Sequence, residues 1–140
     1  MATETISPAP QTITEFPRLG SYELLRLVEE GLPTDCLELL KQRGLTFTEI
    51  GQLVIPPRTL KHRNARGERL TVTESERFLR VIRVLDFGLR VFGDSRKLLN
   101  WLRAPDIEIE NRPSMSLLGD EAGSRLVEGQ LWGIADGIYS

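Results

Sequence analysis

The sequence contains few of the residues that metal sites and catalytic centres use. Its 140 residues include one cysteine and one histidine, too few for an internal disulfide or for a soft-metal site of four Cys and His ligands. Its single Cys36, on a predicted apolar helix face, favours a packed thiol in a reducing compartment. No glycine-rich phosphate or dinucleotide motif is present. We therefore expect a protein that is not an enzyme and binds no cofactor.

The sequence also shows no pattern typical of a membrane-spanning segment or of a signal peptide. Hydrophobic residues make up 40% of the chain, but no apolar run approaches the roughly 20 residues that span a bilayer. The N-terminal segment contains Glu4, Pro8, Pro10 and Glu15 and lacks the basic and then apolar order of a signal peptide. We expect a cytoplasmic protein without membrane contact, with residues 1–18 as a flexible tail.

The small net charge of −2 hides a strong asymmetry along the chain. Residues 56–103 carry 12 basic and 5 acidic side chains, whereas residues 104–140 carry 2 basic and 7 acidic ones. A basic centre beside an acidic end favours two surfaces for two different partners. Arginines that only solvate helix faces would give the same pattern.

Hydrophobic spacing and capping signals predict an all-α chain. The longest predicted helix starts at a capping box of Thr73 and Glu76 and ends near Phe92. Its apolar face is broad, so several neighbouring helices or a second copy must enclose it. Residues 105–112 are expected to form an irregular loop: their alternating stretch 106–110 resembles a strand, but nothing else in the chain looks able to pair with it. The other helices are expected over about 22–30, 35–43 (capped by Thr34), 57–64, 95–103 and 113–118, with a last helix from Asp120 to about Ile134.

The segment 45–64 predicts two short helices with a tight connection between them. Thr46 and Glu49 form a capping box, and Pro57 fits the first turn of the second helix, where its missing N–H costs nothing. This is the plan of a helix-turn-helix. Val54 in the connection is unusual, because many such turns use a left-handed glycine.

The second of these helices is the candidate DNA-contacting element. Residues 56–69 hold five basic side chains against one acidic one, as contact with phosphates and base edges requires. Five phosphate contacts would give a log–log salt slope of about −4 to −5. A basic hairpin that never meets nucleic acid is the alternative. The candidate DNA-binding residues are Arg58, Thr59, Lys61, His62, Arg63 and Arg66.

Several motifs in order make residues 44–140 resemble the Xre/ParS/MbcA family of type II antitoxins. They are Val54-Ile-Pro-Pro-Arg-Thr-Leu60, Arg69-Leu70 before the Thr73 helix start, Phe92-Gly-Asp94, Asn100-Trp-Leu-Arg-Ala-Pro105, Arg112-Pro113, Gly123-Ser-Arg-Leu-Val-Glu128 and Gly137-Ile-Tyr-Ser140. The Val-x-Pro-Pro connection is usual in that family. Glu110-Asn111 stands where the family often has Gly-Gly.

The resemblance implies an Xre-like helix-turn-helix region over 19–69 and a helical dimerisation and toxin-binding domain over 70–140. It also implies a cognate toxin, usually a RES-domain protein that degrades NAD, which we expect the adjacent gene to encode. Binding of operator DNA with autoregulation of the operon, and a homodimer, are implied as well.

The aromatic and apolar residues near the C-terminus predict how a partner would be inhibited. Such residues anchor interfaces, so we expect the C-terminal region to occlude the toxin's active site, with Trp101 packed in the core instead. A transcriptional regulator that only dimerises is one alternative, and a helical adaptor without a nucleic-acid role is another. The candidate toxin-binding residues are Leu131, Trp132, Ile134, Ile138 and Tyr139.

Overall fold

The computed structural model describes residues 20–137, and helices dominate this range. The predicted tail over 1–18 and the candidate residues Ile138 and Tyr139 lie outside the described residues. The α-helices are α1 (Tyr22–Glu30), α2 (Leu37–Gln42), α3 (Phe47–Leu53), α4 (Pro57–Ala65), α5 (Val72–Phe92), α6 (Ser95–Arg103) and α7 (Glu121–Gly137). Short 3-10 turns lie at Thr34–Cys36, Ile107–Ile109 and Ser114–Leu117, and two short strands are β1 (Pro105–Asp106) and β2 (Arg112–Pro113). The all-α prediction is confirmed.

Local capping signals fixed most helix starts as predicted. The hydroxyl of Ser21 accepts the N–H of Leu24 at the start of α1. At α3 the capping box closes in both directions: the Glu49 N–H donates to Thr46 Oγ1 (3.1 Å), and the Thr46 N–H donates to Glu49 Oε1 (2.9 Å). Because these contacts are only three residues apart, they form without help from tertiary packing.

The long helix α5 begins two residues earlier than predicted. Its capping box is Thr71 with Glu74, not Thr73 with Glu76. Both pairs have the same spacing, so a local signal cannot separate them. The preceding Leu70 is buried and its N–H donates to the carbonyl of Leu32 (2.9 Å). That anchor sets where the chain turns into the helix.

The start of α2 was also predicted wrongly. Thr34 does not cap it; its hydroxyl donates instead to Asn64 Oδ1 on α4 (2.7 Å). The segment from Thr34 to Cys36 is a 3-10 turn that leads into the α-helix at Leu37. Cys36 is fully buried, as expected for a packed thiol, and burial raises the pKa of its thiol.

The prediction that residues 105–112 stay irregular is wrong in part. Strands β1 and β2 pair antiparallel, with Pro105 opposite Pro113 and Asp106 opposite Arg112. The partner of β1 is therefore the segment that follows it after a tight turn. Glu110 and Asn111 make this turn with left-handed backbones, at φ 62° and 63°.

Helix α5 is the central element of the fold. Helices α1, α6 and α7 all pack against it, which supplies the enclosure that its broad apolar face requires. The buried residues form one continuous core that includes side chains from α2, α3, α5, α6 and α7. No helix among residues 20–137 is long and apolar enough to cross a membrane. The fully buried side chains of α5 include Ser75, Phe78, Val81, Ile82, Val84 and Leu85.

Candidate nucleic-acid and protein interfaces

The connection between α3 and α4 needs no left-handed residue. Val54 has φ −120° and ψ −62°, a backbone that a β-branched side chain tolerates, and it is buried together with Ile55. A Cβ on Gly51 would lie 3.0 Å from Cδ of Pro57, so the missing side chain lets α4 begin close against α3. The Val-x-Pro-Pro segment therefore holds the two helices by burying its apolar residues.

Helix α4 presents an exposed cationic face. Arg58, Lys61, His62 and Arg66 are exposed, and within residues 20–137 none of these four side chains forms an ion pair. Thr59 lies beside them and is half-buried. Cations without acidic partners are free to neutralise phosphates. The structure thus keeps five of the six predicted DNA-binding residues on or beside one accessible surface.

Two of the predicted basic residues are engaged inside the protein. Arg63 donates from Nη2 to Glu74 Oε2 (2.7 Å), and both side chains are mostly buried, 17% and 11% exposed. Arg69 donates from Nη1 to the carbonyl of Gly31 (3.0 Å). The predicted groove contact of Arg63 does not agree with this placement, because its guanidinium faces α5. We remove Arg63 from the DNA-contacting set.

The predicted partner surface on α7 is altered in two respects. Leu131 is fully buried, so the prediction that it touches a partner is wrong. It continues the stripe of Ser124 and Val127 at helical spacing, which places all three against the core. The helix runs to Gly137, beyond the predicted end near Ile134, so Trp132 and Ile134 lie within the helix and not at its end.

Trp132 remains an exposed aromatic on this face. The residue is 58% exposed, and its ring lies 4.9 Å, centroid to centroid, from the ring of Phe87 on α5. Trp101 is half-buried, with its ring 5.6 Å from that of Phe92, as expected for a residue that packs on the core. An aromatic supported on one side and open on the other is typical of an interface anchor.

A notch of about 340 Å³ lies between α6, the hairpin and α7, on the flank of α7 away from Trp132. Gln130 Nε2 donates to Asp106 Oδ2 across it (3.0 Å). Asp106 and Glu108 have no ion-pair partner within residues 20–137, whereas Glu121 and Glu128 on the same helix as Trp132 are paired with arginines. Two of the acidic side chains of this half therefore lie at the notch without a neutralising ion pair in the described range. Its lining residues are Trp101, Asp106, Glu108, Gln130, Gly133 and Ile134.

Two further features had no signal in the sequence. Arg103 at the end of α6 contacts Glu49 on α3, a pairing of residues 54 positions apart. On the other side, Tyr22 and Leu25 are exposed apolar residues of α1 at 70% and 50% exposure. They line a groove of about 550 Å³ against Leu79 of α5. Long-range pairing and unpartnered faces depend on the packing of the whole chain.

Comparison with known proteins gives one consistent result. A sequence profile described as "Antitoxin Xre-like helix-turn-helix domain" matches residues 23–83, which include α3 and α4. A curated protein of Pseudomonas putida named "Antitoxin Xre" is 32% identical over 128 residues, covering 91% of this chain and 80% of its own length. Proteins of the same name from Yersinia enterocolitica and Photorhabdus laumondii are 34% and 28% identical, covering 61% and 89% of this chain and 59% and 86% of their own lengths.

Proposed function

We propose that this chain, which belongs to the Xre family of antitoxins, neutralises a cognate toxin with its C-terminal region and binds operator DNA through α4 to autoregulate its operon. The family is regulatory and not enzymatic. The observation that carries the proposal is that two surfaces with different exposed side chains lie on separate helices. Cations without ion pairs in the described range lie on α4, whereas α7 carries an exposed tryptophan and borders a notch with two carboxylates that lack ion pairs in the same range.

The DNA-binding part rests on the free cations of α4. Arg58, Lys61 and Arg66 reach solvent without acidic partners in the described range, and His62 and Thr59 lie among them. Phosphate contacts would set the affinity and the register of α4 on the duplex, and the polar side chains would contact base edges.

The toxin-binding part rests on Trp132, Ile134 and the notch. An exposed aromatic anchor on one flank of α7 and an acidic notch on the other fit a partner that grips this helix with apolar contacts and basic side chains. Ile138 and Tyr139, which follow α7 in the sequence, remain part of the proposed toxin-binding set that would occlude the toxin's active site. We further propose that the toxin is a RES-domain protein that degrades NAD, on the strength of the family resemblance in the motifs over 44–140.

The homodimer that the resemblance implies needs a surface of its own. The exposed Tyr22 and Leu25 on α1, with the groove against Leu79, offer one that uses neither α4 nor α7. Two copies of α4 would then reach successive half-sites of an operator about 34 Å apart.

The experiment separates the two activities. The full chain is co-expressed with the product of the neighbouring gene, and growth and copurification are measured; the purified chain is titrated with its upstream DNA by fluorescence anisotropy. We expect Trp132→Ala combined with Ile134→Ser to abolish protection and leave DNA affinity unchanged. Arg58→Glu combined with Arg66→Glu should abolish DNA binding and leave protection unchanged.

A charge-reversed control lies on α6. Arg96→Glu with Lys97→Glu changes the same total charge at exposed positions away from α4 and should retain most of the DNA affinity. Protection by the Trp132 and Ile134 variant, or tight DNA binding by the α4 variant, would contradict the proposal.

A helix-turn-helix regulator without a toxin partner is the second candidate. It is favoured by the groove on α1, which gives a dimer surface with no need for another protein. It predicts that the neighbouring gene's product neither harms cells when expressed alone nor copurifies with this chain.

A further inference from the structure

One carboxylate serves both α4 and α5. Glu74 Oε1 accepts the N–H of Thr71 (2.9 Å), which closes the capping box of α5, and Glu74 Oε2 accepts Arg63 Nη2 from α4 (2.7 Å). Glu74 is a buried residue, 8% exposed. The first turn of the central helix and the last part of α4 are thus joined through a single side chain.

Beyond the buried connection at its N-terminal end, helix α4 has few other attachments to the body of the protein. None of its residues is buried. Leu60 packs partly on the core, and Asn64 Oδ1 accepts the hydroxyl of Thr34. A helix held by so few contacts can tilt or shift when one of them is lost, because no large buried area opposes the movement.

The pairing of Arg63 and Glu74 is also hard to replace by water. Both side chains are mostly buried, and Arg63 Nε is buried with no hydrogen-bond partner within residues 20–137. If Glu74 lost its charge, the guanidinium would be left buried and uncompensated. It would then have to move toward solvent and carry α4 with it.

We propose that Glu74 and Arg63 are positioning residues that fix the orientation of α4 for operator DNA. Neither residue contacts the nucleic acid; each acts through the helix that bears Arg58, Lys61 and Arg66. The inference rests on the proposed DNA binding by α4 and adds to it the ion pair that orients the helix.

The decisive variant is Glu74→Gln, because the change in charge and the loss of positioning predict opposite changes in DNA affinity. Removing one negative charge makes the chain more positive, so charge alone predicts equal or tighter DNA binding. Loss of positioning predicts binding at least about tenfold weaker, the effect of losing a good base contact. Glutamine still accepts the N–H of Thr71, so the helix cap is retained.

Two matched controls accompany it. Glu68→Gln makes the same charge change on an exposed residue between α4 and α5 and should bind DNA as tightly as the original chain or tighter. Thr71→Ala removes the cap of α5 but leaves the pair with Arg63, so it should lower thermal stability without weakening DNA binding. Toxin neutralisation should be unchanged in all three, which reports that the chain is folded.

The outcomes distinguish a failure of the positioning role from a failure of the proposed DNA binding. If the unchanged chain does not bind its upstream DNA at all, the proposed function fails. If it binds and Glu74→Gln binds equally well, the positioning role is overturned. Should Glu74→Gln fail to fold, Arg63→Met is measured over a salt series. A tenfold loss with an unchanged salt slope supports positioning, and a slope smaller by about 0.9 indicates a direct phosphate contact and overturns it.

Discussion

Arg103, the last residue of α6, holds Glu49 on α3 through two hydrogen bonds of 2.9 Å, from Nε to Oε2 and from Nη2 to Oε1. The same Nη2 donates to the carbonyl of Gly44 (2.8 Å). Glu49 also closes the capping box of α3. The C-terminal half of the chain is therefore tied directly to the first helix of the helix-turn-helix.

This arrangement predicts a pH-dependent stability. Partial burial pushes the pKa of Glu49 upward, but hydrogen bonds and charge from Arg103, with the bonds to Thr46, outweigh it and hold the pKa below its ordinary 4.5. Stability from a lowered acid pKa is present above the unfolded value and is lost as pH falls through the folded one. Glu49→Gln should therefore unfold more easily at pH 7, and the difference should shrink below about pH 4.

Urea unfolding over a pH series measures this effect. Glu38→Gln on α2 is the control, because Glu38 is exposed and has no ion pair within residues 20–137, so this variant removes the same charge without removing an ion pair. A Glu49→Gln penalty that is equal at pH 3 and pH 7 would contradict the expected linkage.

Leu131 and Trp132 are neighbours in the chain with opposite expected effects. Leu131 is fully buried and Trp132 is 58% exposed. Leu131→Ala should lower the free energy of unfolding by about 2–5 kcal/mol, since it opens a cavity in the core. Trp132→Ala should cost only about 1 kcal/mol from its contact with Phe87 while weakening toxin binding at least about tenfold. Chemical denaturation and calorimetric titration with the toxin check both; equal stability losses would contradict the assignment.

The turn between β1 and β2 places a residue other than glycine in a strained backbone conformation. Glu110 lies at φ 62°, where a Cβ is disfavoured. Glu110→Gly should raise the free energy of unfolding by about 0.5–1 kcal/mol, after the entropy that glycine adds to the unfolded chain. Glu110→Ala is the control: it removes the charge but keeps the Cβ and should bring no gain. Thermal unfolding distinguishes the two, and a gain from alanine would show that charge is responsible instead.

Two glycines on α7 are expected to respond oppositely to alanine. A Cβ on Gly123 would collide with the carbonyl oxygen of Leu117, whereas a Cβ on Gly129 meets nothing within 4 Å. Gly129→Ala should stabilise the helix by up to about 1 kcal/mol through helix propensity. Gly123→Ala should destabilise the chain by about 1–3 kcal/mol. Denaturant unfolding checks the sign of each, and stabilisation by Gly123→Ala would contradict the close approach.

The number of free cations on α4 predicts the salt dependence of DNA binding. Only Arg58, Lys61 and Arg66 are basic side chains of this segment without an internal partner in the described range. Each phosphate contact contributes about 0.9 to the slope of log K against log salt, so we expect about −2.7 for each helix-turn-helix. Anisotropy titrations at several KCl concentrations measure it. Arg58→Ala should reduce the slope by about 0.9 and Lys97→Ala should not; a slope near the −4 to −5 expected for five contacts would mean that Arg63 and Arg69 also reach DNA.

The sequence by itself determined the helical class, the helix-turn-helix and the cationic character of α4. These follow from contacts within one turn of helix: the box of Thr46 with Glu49, the proline at Pro57, and hydrophobic spacing along α5. The burial of Leu131 was also within reach, since it lies inside the predicted helix and repeats the spacing of Val127; it was missed because Leu131 was grouped with the apolar and aromatic residues near the C-terminus.

Only the tertiary structure decided which charged groups are free and where equivalent local signals take effect. Arg63 and Arg58 have the same chemistry on the same helix, yet one faces Glu74 and the other faces solvent. The capping boxes at Thr71 and Thr73 are equally good locally, and the distant bond from Leu70 to Leu32 selects the first. Such choices depend on partners far away in the chain, whose positions no local pattern specifies.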